Sequence, residues 1–200
     1  MPTLQKIVAQ VSLENLVIAA TTGNLVSFPT DTVPALAALP EHAELIFQAK
    51  QRSQDKPLIL MVGEIADIWQ FTNGTEAEMA IWQAVADRYL PGALTLVLPA
   101  SDRIPAVMNP LNNHTIGLRV PAHDIARSIL AQTGALATTS ANLSGQPPLL
   151  TMAEIQASFP QVFSLNVDAD LPTQGQPSTV VQWIDSSWQL LRQGSIVFTA

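Results

Sequence analysis

Apolar residues along this chain switch repeatedly between a spacing of three to four and a spacing of one to two, and the switches mark out its elements. Leu13, Leu16, Val17 and Ala20 recur at helical spacing behind Ser12, an N-cap candidate, and Gly23 is a candidate stop. Leu25 to Phe28 reads as a short strand running into Pro29. A helix is expected from Glu41 to about Gln51, with acids at its start and cations at its end, and Pro57 to Val62 reads as a compact apolar strand. Glu64 to Gln70 and Thr75 to Tyr89 follow as helices, the second ended by Pro91 and Gly92.

The second half continues in the same manner. Ala93 to Leu98 and Thr115 to Val120 are strand-like, Ala122 to Gln132 is helical with Gly134 as its stop, and Ala135 to Thr139 returns as a strand. A short helix is expected near Thr151 to Ser158. Ser178 to Ile184 and Trp188 to Arg192 then read as a hairpin across Asp185, Ser186 and Ser187. Alternation of this kind predicts an α/β domain with a central sheet and helices packed on it, and the hairpin makes the sheet mixed rather than purely parallel. With 200 residues, no internal repeat and no linker, one domain over residues 1–200 is expected. Prolines and glycines cluster at 143–148 and 172–177, which read as loops over a site.

Composition narrows the class. Only 12% of residues are charged and 48% are hydrophobic, with a mean hydropathy of +0.24, so the chain is expected to fold rather than remain disordered. There is no cysteine, which excludes disulfides and thiolate metal ligands. Met1 to Gln10 lacks the basic-then-apolar pattern of a signal peptide, and no apolar run approaches the roughly 20 residues of a membrane helix. A cytoplasmic protein without membrane attachment is the expectation. The net charge of −7 argues against tight, direct RNA binding, which draws on a basic surface. The positive charge is nevertheless uneven: Lys50, Arg52 and Lys56 are three of only nine cations.

The common nucleotide signatures are absent. There is no G-x-x-x-x-G-K-[ST] loop, no G-x-G-x-x-G and no G-x-S-x-G elbow at Ser140. His42, His114 and His123 lack metal-ligand spacing, so no protein-held metal is expected. Polar clusters remain where strands end. Phe28-Pro29-Thr30-Asp31-Thr32-Val33 is either a turn or a ligand-facing sheet edge. The cations of Lys50 to Pro57 either offset a helix dipole or cradle a polyphosphate, with Arg as a planar fork and Lys as a point charge. Arg119, inside an otherwise apolar strand, is either a paired structural residue or a carboxylate-binding one. Thr138-Thr139-Ser140-Ala141-Asn142 followed by Gly145 offers donors to phosphate or ribose, or equally an N-cap and a turn. The last pair is Pro177-Ser178-Thr179-Val180-Val181 with Leu191-Arg192-Gln193-Gly194.

In this order the segments resemble the YrdC-like family of threonylcarbamoyl-adenylate synthases. The resemblance rests on Pro29-Thr30-Asp31-Thr32-Val33, Lys50-x-Arg52 with Lys56-Pro57-Leu58, Pro91-Gly92-x-x-Thr95 and Gly117-x-Arg119-x-Pro121. It continues through Ser140-Ala141-Asn142-x-Ser144-Gly145, Ser178-Thr179-Val180-Val181 and Arg192-x-Gly194, covering about residues 12 to 194. It implies a twisted mixed α/β sheet with a deep concave face that holds the site. It also implies synthesis of threonylcarbamoyl-AMP and pyrophosphate from L-threonine, bicarbonate and ATP with Mg²⁺. The product would go to a separate transferase that modifies adenosine 37 of tRNA.

By the same resemblance, Lys50, Arg52 and Lys56 hold the triphosphate, with Lys50 and Arg52 as the catalytic pair. Thr115, Ser140, Asn142, the backbone near Pro148 and Arg192 complete the ATP site, while Thr32, Arg119, Thr138 and Ser178 hold threonine. This chain differs from many members at Pro34-Ala35, where they carry Tyr-Gly, and at Met61, where they carry His. Ser53 and Ala93 also replace a usual proline. The alternatives are a diverged, non-catalytic member that binds RNA or the ribosome, and a related transferase that carbamoylates another acceptor.

Overall fold

The computed structural model describes residues 10–53, 56–111, 114–167 and 175–199. Their strands, in chain order, are β1 (Val26–Phe28), β2 (Ala35–Ala38), β3 (Ile59–Met61), β4 (Leu94–Pro99), β5 (Thr115–Arg119), β6 (Leu136–Ser140), β7 (Phe163–Ser164), β8 (Thr179–Ile184) and β9 (Ser187–Arg192). The helices are α1 (Leu13–Thr21), α2 (Glu44–Lys50), α3 (Glu76–Tyr89), α4 (Asp124–Thr133) and α5 (Met152–Ser158). The strands form one sheet in the order β7-β1-β2-β6-β3-β5-β4-β8-β9. It is mixed, as expected: β1/β7, β3/β5 and β4/β8 run parallel and the other neighbours antiparallel.

Helix boundaries follow their caps. Ser12, Thr75 and Thr151 each accept from a backbone N–H three residues on, and Glu78 and Glu154 return the bond at the last two. His123 caps α4 in the same way, with Nδ1 accepting from the Ala126 N–H at 3.5 Å. The helix expected over 41–51 is divided into a 3-10 turn at Pro40–His42 and α2, and the one expected over 64–70 is a 3-10 segment, Ile65–Phe71.

Two strands are absent from the hydrophobic pattern. Ala35-Leu36-Ala37-Ala38 has the composition of a helix, yet it lies between β1 and β6 and is buried on both faces. Pairing on two sides and burial override the local preference of alanine. β7 is two residues long, too short to leave a periodic signal. Of the loop expected at 172–177, residues 172–174 lie outside the described residues.

Strand alternation gives the sheet two different faces. Leu36, Leu60, Leu94, Leu96, Leu98, Ile116, Leu118 and Val181 point into the larger core with α2, α3 and α5, around Ile46, Trp82, Val85 and Ile155. Each fully buried Leu or Ile contributes about 1.5–3 kcal/mol relative to exposure. Helices α1 and α4 cover the opposite face at one end only. There Leu16, Ala19, Ala20, Ile129 and Leu130 pack on Val26, Phe28, Ala35, Ala37 and Met61. Among the described residues no helix covers the rest of that face, and it becomes the wall of a cavity.

Candidate active site

The face that α1 and α4 leave open encloses a cavity of about 450 Å³. Its wall is built from alternate positions of the central strands: Ile59 and Met61 of β3, Thr95 and Val97 of β4, Thr115, Gly117 and Arg119 of β5, Thr138 and Ser140 of β6, Val180 and Gln182 of β8. The period-two rule that sends Leu94, Leu96 and Leu98 into the core sends Thr95 and Val97 to the cavity. Loops and strand ends add Thr32, Val33, Arg52, Pro177, Ser178 and Arg192. Gly117 lies on the wall where a Cβ would stand 3.3 Å from Thr95 Cγ2 and 3.4 Å from Ile59 Cγ1.

Arg119 is the best-held charge. Its Nη2 donates to Asp31 Oδ1 at 2.6 Å, Nη1 to Thr32 Oγ1 at 2.7 Å and Nε to the Gly92 carbonyl at 3.1 Å. Burial pushes the guanidinium below its ordinary value and Asp31 opposes that shift. The residue is therefore a paired structural arginine that also stands on the cavity wall. Arg192 forks onto Ser178, with Nη2 donating to the carbonyl at 2.8 Å and to Oγ at 3.3 Å, and Nε to the carbonyl at 3.2 Å. Ser178 Oγ lies 2.8 Å from Thr95 Oγ1. Thr138 donates to the Ile59 carbonyl at 3.1 Å. Arg52 donates from Nε to the Lys56 carbonyl at 3.1 Å and from Nη2 to the Pro57 carbonyl at 3.2 Å.

Of the residues singled out in the sequence, Thr32, Arg52, Thr115, Arg119, Thr138, Ser140, Ser178 and Arg192 share this cavity. Lys50, Lys56, Asn142 and Pro148 are not on its wall. Lys50 is 1% exposed, and its Nζ donates to the Ser140 carbonyl and to Asn142 Oδ1, the latter at 3.0 Å. Burial first, and the nearby Arg52 charge second, push the amine down to about 7. Asn142 is in turn fixed by its Nδ2 donating to the Leu143 and Gln146 carbonyls and by Ser140 Oγ donating to Oδ1 at 2.6 Å. Lys50 and Asn142 thus stand one layer behind Ser140, tying the end of α2 to the end of β6. Lys56 is exposed.

Sequence reasoning quoted Asp31 and Thr95 only as parts of motifs, and it did not find Asn109, Leu111 or Gln182 at all. For Thr95 a signal existed: it is the one hydroxyl in Leu94-Thr95-Leu96-Val97-Leu98. For Asn109, whose Nδ2 donates to the Thr115 carbonyl at 3.3 Å, no local pattern existed. The wall also shows what it lacks. Among the described residues no group of three or more His, Asp or Glu could hold a metal, and Asp31, the acid beside Arg119, is already paired. The donors here are hydroxyls and cations, which do not fit a Mg²⁺ held by the protein.

Known proteins share this architecture and much of this sequence. Threonylcarbamoyl-AMP synthase of Pyrococcus abyssi is 35% identical over 180 residues, covering 87% of this chain and 51% of the relative. The chain therefore spans about half the length of that relative. Threonylcarbamoyl-AMP synthase of Vibrio vulnificus strain YJ016 is 30% identical over 187 residues, with 92% of this chain and 98% of the relative covered. The crystal structure of P. abyssi Sua5 complexed with L-threonine superposes with a TM-score of 0.81 at 30% identity, covering 93% of this chain and 56% of that one. The profile of the Sua5/YciO/YrdC family, described as telomere recombination, matches residues 19–194, and the chain belongs to that family.

Proposed function

We propose that this chain is an L-threonylcarbamoyladenylate synthase, forming threonylcarbamoyl-AMP and pyrophosphate from L-threonine, bicarbonate and ATP. The observation that carries the reading is the charge of the cavity. On a chain of net charge −7, Arg52, Arg119 and Arg192 converge with seven hydroxyl residues, Thr32, Thr95, Thr115, Thr138, Thr139, Ser140 and Ser178, on one concave face. That is a site for a ligand rich in anionic oxygens.

The chemistry suits these groups. Threonine and bicarbonate condense with loss of water to a carbamate, and a carbamate oxygen attacks the α-phosphorus while the bond to pyrophosphate breaks. The carbamate is already an anion, so the protein supplies position and charge neutralisation rather than a strong base. Arg52, with Lys50 behind it and Lys56 at the edge, takes the triphosphate end. Thr115, Ser140, Asn142, the segment at Pro148 and Arg192 complete the nucleotide site. Thr32, Arg119, Thr138 and Ser178 take threonine, with Arg119 on its carboxylate. Mg²⁺ enters as part of the nucleotide, held by phosphate oxygens and water. The product leaves for a tRNA threonylcarbamoyl transferase that acts at position 37, in the cytoplasm. The acidic chain itself needs no direct grip on tRNA.

The test is pyrophosphate release measured with each component withheld in turn. Release should require ATP, Mg²⁺, bicarbonate and an amino acid together. Release that persists unchanged without bicarbonate would exclude carbamate formation and overturn the reading.

A further inference from the structure

The hydroxyl pair at the floor of the cavity has one proton more than the protein uses. Thr95 Oγ1 and Ser178 Oγ are 2.8 Å apart, so one hydroxyl donates to the other. Each carries a single proton. Among the described residues neither hydroxyl has another acceptor, and Ser178 Oγ itself accepts from Arg192 Nη2 at 3.3 Å. Thr95 is fully buried and Ser178 is 3% exposed, yet both line the cavity. A buried hydroxyl left without an acceptor is unfavourable, and here the direction left open to it is the cavity.

The order of the chain follows from charge. Donation by the Arg192 guanidinium polarises Ser178, whose own O–H becomes the stronger donor of the pair. Ser178 then donates to Thr95, and the Thr95 proton is the spare one. We propose that Thr95 is a further substrate-positioning residue, whose hydroxyl donates to an anionic oxygen of the amino-acid ligand at the end of an Arg192–Ser178–Thr95 relay. This rests on the reading of the cavity as a site for threonine and ATP. The floor is shaped to keep Thr95 in place: Gly117 has no side chain to crowd its Cγ2, and Thr95 pairs across to Val180, two residues beyond Ser178. In a strand otherwise made of Leu, Val and a final Pro, no packing reason calls for a hydroxyl at this position.

Two pairs of proteins isolate the hydroxyl: the parent against Thr95→Val, which keeps the shape, and Thr95→Ser against Thr95→Ala. In each pair, loss of the hydroxyl should raise the KM for threonine about tenfold or more, the scale of a hydrogen bond to a charged group, while the KM for ATP stays within about twofold. Thr95→Ser should restore threonine affinity to within a few-fold of the parent. The pairs are read separately, so poor folding of one variant leaves the other informative. Combining Thr95→Val with Ser178→Ala should cost no more than the worse single change if the two act as one relay. A threonine KM that is the same with and without the hydroxyl, or that shifts together with the KM for ATP, overturns the assignment. A parent protein that releases no pyrophosphate from threonine, bicarbonate and ATP overturns the function itself. An active parent with an indifferent Thr95 removes only the relay.

Discussion

Two buried charges near the cavity make opposite demands on their surroundings. Lys50 has no carboxylate beside it among the described residues, and its amine is pushed down to about 7. The unfolded chain, with an ordinary lysine near 10.4, therefore holds more protons than the folded one between about pH 7 and pH 10. Stability should climb with pH across that window, by up to about 1.4 kcal/mol per unit, and should carry no contribution from Lys50 to the slope below pH 7. Unfolding curves of the parent and Lys50→Met, compared from pH 6 to 10, check this; parallel pH dependences would refute it. Arg119 is the contrary case, because Asp31 neutralises it at 2.6 Å with both side chains almost covered. Asp31→Ala leaves that charge buried and unpaired and should destabilise the fold by about 3 kcal/mol or more, measured by denaturant unfolding. Sequence alone showed that Arg119 needed a partner. It could not say that the partner was Asp31, 88 residues away in the chain.

Among the elements, the β8–β9 hairpin and the segment after it decide the shape of the Arg192 side of the site. The turn is two residues, Asp185 and Ser186, one fewer than expected, because Ser187 already pairs with Ile184. Both turn residues have positive φ, 49° and 58°, the conformation of a type I′ turn. Glycine accepts this without the steric cost that serine bears, offset by its larger loss of entropy. Ser186→Gly should therefore raise stability by about 0.5 kcal/mol while leaving the KM values unchanged, which thermal unfolding and kinetics together can check. Gly194 admits no such freedom. A Cβ there would lie 2.3 Å from the Pro177 carbonyl oxygen and 2.4 Å from the Ser178 carbonyl carbon. Gly194→Ala must move the backbone that carries Ser178, so it should lower stability by about 1–3 kcal/mol and raise the KM for threonine as well. Unaltered kinetics in a folded Gly194→Ala protein would show that this close approach does not shape the site. The hairpin itself was visible in the sequence because alternation and turn residues are local signals. β2 was not, since its strand identity comes from neighbours on both sides.

For the molecule as a whole, the proposed function turns on how the cavity would read an amino acid. Near Thr32 the wall carries Ala35 and Met61, at the places where the resemblance sets Gly and His, while Pro34, at the place of its Tyr, is not on the wall. Thr32, Arg119, Thr138 and Ser178 are all present, so threonine should still outcompete valine, its near-isostere, by far more than the few-fold of an apolar pocket. Comparing kcat/KM for threonine, serine and valine decides this, and equal values for threonine and valine would favour the related transferase with another acceptor. Periodicity, caps and turn residues determined most of the elements, the mixed α/β class and the set of polar segments, because those are interactions among residues close in sequence. Only the tertiary structure decided which face of each strand meets the cavity, and that Thr95 and Arg192 belong to one site. It also decided that Lys50 turns beneath Ser140 rather than onto the wall. Those facts depend on strand order and register, which bring together residues dozens of positions apart and which no local pattern encodes.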